Sequence, residues 1–192
     1  MRSSGLALDA HCVGAALEVC AAADKWEETL SLVGSMPRLG LTPSSRHLAP
    51  MLRCCTRAGH CAEALAMLDR LGRPPLDAVA TAAALEACAR AADAGRVGQL
   101  VSQLEADGGS LDARMRCSAI AALGRAGEPC EALQMLAVSD GANPSVDTAC
   151  FNAALGALLR AGMREAAERL LESMGRGGRP PPNSVTWQVM RS

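Results

Sequence analysis

Apolar residues in this chain recur on a short period of three to four positions and a long period of about 35. Leu17, Leu52, Leu85, Ile120 and Leu155 share one phase of the long period, and three residues further on Cys20, Cys55, Cys88, Leu123 and Leu158 share the next. Spacing of i and i+3 marks one face of a helix. A second set follows within each unit. Leu32, Met67, Leu100, Met135 and Leu170 align, as do Val33, Leu68, Val101, Leu136 and Leu171. Met36, Leu71, Leu104 and Met174 continue that face, with Ser139 as the exception. Each unit therefore predicts two amphipathic helices.

The joints between helices repeat as well. Arg-Ala-Gly occurs at Arg57-Ala58-Gly59, Arg125-Ala126-Gly127 and Arg160-Ala161-Gly162, with the near copy Arg90-Ala91-Ala92 between the first two. The arginines are separated by 33, 35 and 35 residues. Gly59, Gly127 and Gly162 suit the left-handed position just past a helix C-terminus. Helix breakers close the units: 40–43 (Gly-Leu-Thr-Pro), 72–75 (Gly-Arg-Pro-Pro), Asn143-Pro144 and 177–182 (Gly-Gly-Arg-Pro-Pro-Pro). This gives repeats at 10–44, 45–77, 78–112, 113–147 and 148–183, and the start of a sixth at 184–192. One hairpin cannot bury both of its apolar faces, whereas stacked hairpins can. The expected fold is all-α: a right-handed α-solenoid of helix–turn–helix repeats, ending in a lone sixth helix.

Composition sharpens this picture. Hydrophobic residues make up 49% of the chain but aromatics only 2%, so apolar area comes mainly from Ala and Leu, with Met and Cys. Those residues favour helices that approach closely. The nine cysteines include no Cys-x-x-Cys pair, and three share one phase of the repeat, which reads as free thiols in a reducing compartment. There is no apolar run long enough for a membrane-spanning helix. Repeat material begins near Ala10, which predicts either no targeting peptide or a fragment of a longer chain. The apolar face of the sixth helix, with Val185, Trp187 and Val189, also predicts a fragment lacking its cap.

Family resemblance enters at the junctions. Asn183-Ser184-Val185-Thr186-Trp187-Gln188-Val189-Met190 follows a proline and resembles the Pro-Asp-x-Val-Thr-Tyr-Asn-x-Leu junction of pentatricopeptide repeats, as does the stretch Asp147 to Leu155. Lys25 to Met36 and Ala166 to Met174 resemble the second helix of that family. The likeness spans about 10–192 and is faintest in 78–112, where Ala92 stands at the turn glycine. The Trp/Leu-Gly/Tyr pattern of tetratricopeptide repeats, which have a similar length, is absent.

The resemblance implies single-stranded RNA as partner, one base per repeat, read by the fifth residue of the first helix and the last residue of the repeat. Those pairs are Gly14 with Ser44, Ala49 with Asp77, Ala82 with Asp112, Cys117 with Asp147, and Asn152 with Asn183. Only Asn152 offers both a donor and an acceptor. The resemblance gives Asn152/Asn183 a pyrimidine preference and the other pairs little discrimination. It also gives Arg57, Arg90, Arg125 and Arg160 a phosphate-contacting role. The same arginines suit helix capping, since a cation in the last turn meets the negative dipole end and free carbonyls. Arg46 and Arg114 stand at the second position, where the family sandwiches bases; an arginine plane can stack there or lie solvated.

Charge weighs against nucleic acid, because 19 basic and 20 acidic residues leave a net charge of −1. A local stripe survives a neutral total. The densest metal-capable group, Cys54, Cys55, His60 and Cys61, lacks paired zinc spacing and shares the core phase, so no metal or other cofactor is expected. His11 and His47 have no Ser or Cys neighbour at a recognisable catalytic spacing, and no phosphate-binding loop follows a strand. The expectation is a non-enzymatic module without a small-molecule substrate. It binds RNA in an organelle, chloroplast or mitochondrion, by family resemblance, or serves as a protein-interaction scaffold of the same shape.

Overall fold

The structure, a computed structural model, describes residues 9–137, 147–176 and 179–191. Ser139, Asn143-Pro144, Gly177, Gly178 and Ser192, which figured in the sequence pattern, lie outside these residues. The described residues form eleven α-helices and one short 3-10 turn, with no strand. First helices of the hairpins are α1 (Ala10–Ala22), α3 (Ser45–Ala58), α5 (Ala78–Ala91), α7 (Ala113–Ala126) and α9 (Thr148–Arg160). Their second helices are α2 (Trp26–Ser35), α4 (Cys61–Arg70), α6 (Ala94–Ala106), α8 (Pro129–Ala137) and α10 (Arg164–Ser173), followed by a final α11 (Ser184–Arg191).

The chain divides into two compact units, one up to Ala87 and one from Cys88 onward, with the division falling inside α5. In the first unit, α1 and α3 pack side by side and α2 covers both, with α4 against α3. In the second, α7 packs on α9 and α9 on α11, while α8 and α10 lie against them. Leu17, Leu52, Leu85, Ile120 and Leu155 are all completely buried. Cys55, Cys88, Leu123 and Leu158 are buried too, but Cys20 keeps partial exposure. Rows on the second helices are less uniform. Met67 and Leu100 are buried whereas Leu32, Met135 and Leu170 are half-buried, because a second helix has packed neighbours on fewer sides. On α11, Val185 and Trp187 stand about half exposed while Thr186 is fully buried.

Each hairpin turns at one phase of the long period, and the backbone there is left-handed every time: Asp24, Gly59, Ala92, Gly127 and Gly162 have φ of 54°, 88°, 57°, 87° and 73°. Glycine takes that conformation without strain, while a residue with Cβ is strained by roughly 1–2 kcal/mol. The first helices start on polar caps that satisfy orphan backbone donors. Asp9, Asp77, Asp112, Asp147 and Asn183 accept from the N–H three residues on, at 2.7, 2.8, 2.7, 3.0 and 3.0 Å. Ser44 and His47 form a reciprocal capping box at the start of α3.

Candidate functional site

The last residue of each repeat, expected to read a base, is the N-cap of the following first helix. Ser44, Asp77, Asp112, Asp147 and Asn183 are all exposed, yet one side-chain oxygen of each acidic or amide cap is already used by the backbone. The partner at the fifth position of the preceding first helix is half-buried in four cases (Gly14, Ala82, Cys117, Asn152) and buried in the fifth (Ala49). Helical geometry places that residue against the third residue of the next first helix. The Thr186 hydroxyl donates to Asn152 Oδ1 at 2.7 Å, and the Asn152 amide reaches Asn183 Oδ1 at 3.5 Å. The carbonyl of Asn152 is therefore engaged within the protein. One lone pair and one N–H are left to face a base edge.

The same juxtaposition recurs with other chemistry. Cys150, third in α9, donates its thiol to the Ala113 carbonyl at 3.5 Å, one helical turn before Cys117. The neighbouring Cys150 brings the Cys117 thiol down to about 7, while Cys150 itself is pushed up by that neighbour and by burial. In the first unit, His47 Nε2 meets the Ala10 carbonyl at 2.9 Å and stands 3.8 Å from where a Cβ on Gly14 would lie. His47 Nδ1 is within hydrogen-bond reach of the Ser44 N–H and hydroxyl, at 3.2 and 3.0 Å. Accepting from the N–H leaves Nε2 as the donor to Ala10. Ser44 stands three residues before His47, and the pair closes the start of α3. The third-position residues His47, Cys150 and Thr186 were missed from sequence, although their fixed spacing from the cap was available as a signal.

Small fifth residues leave space. A groove of about 700 Å³ opens between α1 and α3, lined by Gly14, Ser44, Arg46, His47, Ala49 and Asp77, among others. Two expected reading pairs and Arg46 thus border one groove in the first unit. Arg46 and Arg114 are both exposed.

The recurrent arginines reach backward by one repeat. Arg57, Arg125 and Arg160 donate to the carbonyls of Ala21, Ala89 and Gly124, each 36 residues earlier and near the end of the preceding first helix. The capping role weighed from sequence is thus realised, but across repeats rather than within one helix. All four arginines remain exposed. Arg57 also pairs with Asp24 at 2.7 Å. Among the described residues, no carboxylate is in ion-pair range of Arg125 or Arg160. Arg125 is instead held below the usual arginine value, first by burial and then by repulsion from Arg160 and Arg90. The Arg125 guanidinium thus feels those of Arg90 and Arg160.

The metal-capable group is spent on packing. His60 stacks on Trp26 with ring centroids 3.6 Å apart and meets Glu63 at 3.2 Å, while Cys54, Cys55 and Cys61 are buried. Burial pushes the Cys55 thiol up to about 12.

Hairpins of constant length with side chains repeated at one phase define a helical-repeat binding protein. The chain belongs to the pentatricopeptide repeat family: residues 1–103 match the family described as pentatricopeptide repeat-containing protein, and residues 149–179 match the pentatricopeptide repeat itself. No curated protein matches the sequence. Among solved structures, the chain is similar to maize pentatricopeptide repeat protein PPR10 at 23% identity and a TM-score of 0.60, over 99% of this chain and 27% of that one. It is also similar to the pentatricopeptide repeat domain of Arabidopsis thaliana protein-only RNase P 1, crystallised with tRNA: 16% identity, TM-score 0.68, 92% of this chain and 96% of that one. Similarity to Arabidopsis thaliana protein-only RNase P 2 gives 14% identity and a TM-score of 0.72 over 93% of this chain and 40% of that one. None of the described helices is long and apolar enough to cross a membrane.

Proposed function

We propose that the chain is a single-stranded RNA-binding module, one base per repeat over 10–44, 45–77, 78–112, 113–147 and 148–183, acting in organellar RNA processing, stability or translation. The observation that carries the reading is that Arg90 and Arg160 both stand near enough to Arg125 to repel its charge, in a chain of net charge −1. Family membership supports it, and so does the PPR10 structure solved in complex with an 18-nt psaJ RNA element. In this reading the arginines contact phosphates, Arg125 and Arg160 with the N–H groups left over from their carbonyl bonds. Asn152 with Asn183 reads one base, and the apolar fifth residues admit a base without selecting it. Arg46 and Arg114 stack on bases. The reading is of binding without catalysis: the protein-only RNase P 2 likeness reaches 40% of that chain.

Filter binding of single-stranded RNA across a salt series tests it. Three phosphate contacts give a log–log slope of about −2, at roughly −0.7 each. Absence of binding at low salt overturns the reading. In that case a protein-interaction scaffold takes its place, a role favoured by Gly14, Ala49 and Ala82 at positions that need polar readers.

A further inference from the structure

Arg116 is a buried charge that the RNA reading does not use. It stands fourth in α7, where the other first helices have Val13, Leu48, Thr81 and Phe151, all buried and uncharged. This is a core position of the repeat, yet here it holds a guanidinium only 6% exposed. The Arg116 Nη1 donates to the Met135 carbonyl at 3.2 Å, while its Nε has no hydrogen-bond partner. Among the described residues, no carboxylate is in ion-pair range of Arg116. A charge taken out of water is strongly destabilising unless an opposite charge and hydrogen bonds compensate it.

The same side chain lines a cavity of about 420 Å³ between α6, α7 and α8, a volume within the range of small-molecule sites. Val97, Val101, Leu111 and Leu123 give it apolar walls, and Arg116 is the one cation among its described lining residues. Glu105 and Glu131 also border it but are exposed, so the acidic groups stand at the solvent edge and the cation at the closed end. None of the reading pairs or recurrent arginines lines this cavity.

We propose that the cavity binds a small monocarboxylate with a branched aliphatic body, an apolar acid or an apolar α-amino acid, through Arg116. One edge of a guanidinium, Nε with Nη2, presents two parallel N–H groups that match the two oxygens of a carboxylate. Nη1 is held by the Met135 carbonyl, which orients the fork. A carboxylate bound there supplies the missing countercharge and accepts from the unpartnered Nε–H. The valine and leucine side chains cover its aliphatic body. Repulsion at the acidic edge grows with ligand charge, which selects a monocarboxylate over a phosphate. The ammonium of an amino acid would face Glu105 or Glu131.

Calorimetric titration of the full chain with isovalerate and with leucine tests the site. No RNA is present, so the outcome is independent of the RNA reading. At least one of the two should bind at millimolar concentration or below, as suits so small a ligand. Tighter leucine identifies amino acids as the ligand class, and tighter isovalerate identifies simple acids. Arg116→Leu should weaken binding about tenfold or more with helicity unchanged. Arg116→Lys keeps the charge without the fork and should fall between. Gly98→Leu narrows the cavity from α6 and keeps Arg116; a Cβ at Gly98 meets no atom within 4 Å, so the fold accommodates it, and binding should again weaken. Failure of both ligands to bind overturns the proposal. So does binding unchanged in Arg116→Leu or Gly98→Leu, or equal binding of isoamylamine or inorganic phosphate.

Discussion

The two units share a backbone plan but differ in where they leave charge and reactivity unsatisfied. In the first, the turn residue Asp24 neutralises Arg57, and Gly14 and Ala49 leave an open groove over His47. In the second, the corresponding turn positions are Ala92 and Gly127, with no carboxylate, so Arg125 and Arg160 keep their charge beside Arg90. There the fifth positions are filled by Cys117, its pKa lowered by its neighbour Cys150, and by Asn152, bonded to the Thr186 hydroxyl. One substitution at a turn thus decides whether a repeated arginine is a closed ion pair or part of a cationic cluster. Shape is common to both units, but the cationic groups available to hold an anion are concentrated in the second.

The largest expected contrast is between thiols. Cys117 forms thiolate as pH rises through about 7, whereas Cys55 does so only near 12. That separation favours Cys117 by several hundredfold at neutral pH, after allowing for the greater nucleophilicity of the more basic thiolate. Iodoacetamide rates followed by peptide mapping should show Cys117 half-maximal near pH 7 and Cys55 silent. Equal rates would erase the distinction.

Next comes charge. Arg125→Ala with Arg160→Ala should weaken RNA binding by about tenfold or more at low salt and make the salt slope shallower by about 1.4. Arg57→Ala should change neither by more than about twofold, because Asp24 already occupies that guanidinium. Circular dichroism on each variant separates lost contacts from lost structure. If Arg57→Ala is as damaging as the double change, the units do not differ as binding surfaces.

Stability offers a smaller contrast at the fourth position of the first helices. Val13 and Leu48 are buried there in the first unit, while the second unit has Arg116, only 6% exposed. Arg116 donates to the Met135 carbonyl at 3.2 Å, but its Nε has no hydrogen-bond partner. Replacing a buried, incompletely satisfied charge by an apolar residue of similar bulk is stabilising in many proteins. Arg116→Leu should raise unfolding free energy by about 1–3 kcal/mol in urea. A marked loss would show that the guanidinium–carbonyl bond is worth more than its desolvation. At the turns, Ala92→Gly should add about 1 kcal/mol by relieving its φ of 57°, and Gly127→Ala should cost a similar amount.

The smallest expected effect converts one unit toward the other. Asp24→Gly copies Gly59, removes the carboxylate facing Arg57, and should steepen the RNA salt slope by about 0.7. Affinity should rise only a few-fold. An unchanged slope would mean that Arg57 stays committed to the Ala21 carbonyl alone.

The sequence by itself determined what depends on local periodicity. Apolar faces at i and i+3, turn residues at the Gly59 phase and polar caps such as Asp112 and Asp147 are consequences of neighbours within one or two helical turns. They made the helices and the completely buried row from Leu17 to Leu155 legible. Pro50 shows the limit of local rules: it should interrupt a helix, yet it lies inside α3, fully packed. What only the tertiary structure decided are the contacts between residues about 35 apart. The arginines find the carbonyl ends of the preceding first helices, Thr186 takes the Asn152 carbonyl, and Cys150 seats on the Ala113 carbonyl. A repeat period names which residues are equivalent. It does not state how far one hairpin is displaced against the next, and that displacement chooses which side chains meet.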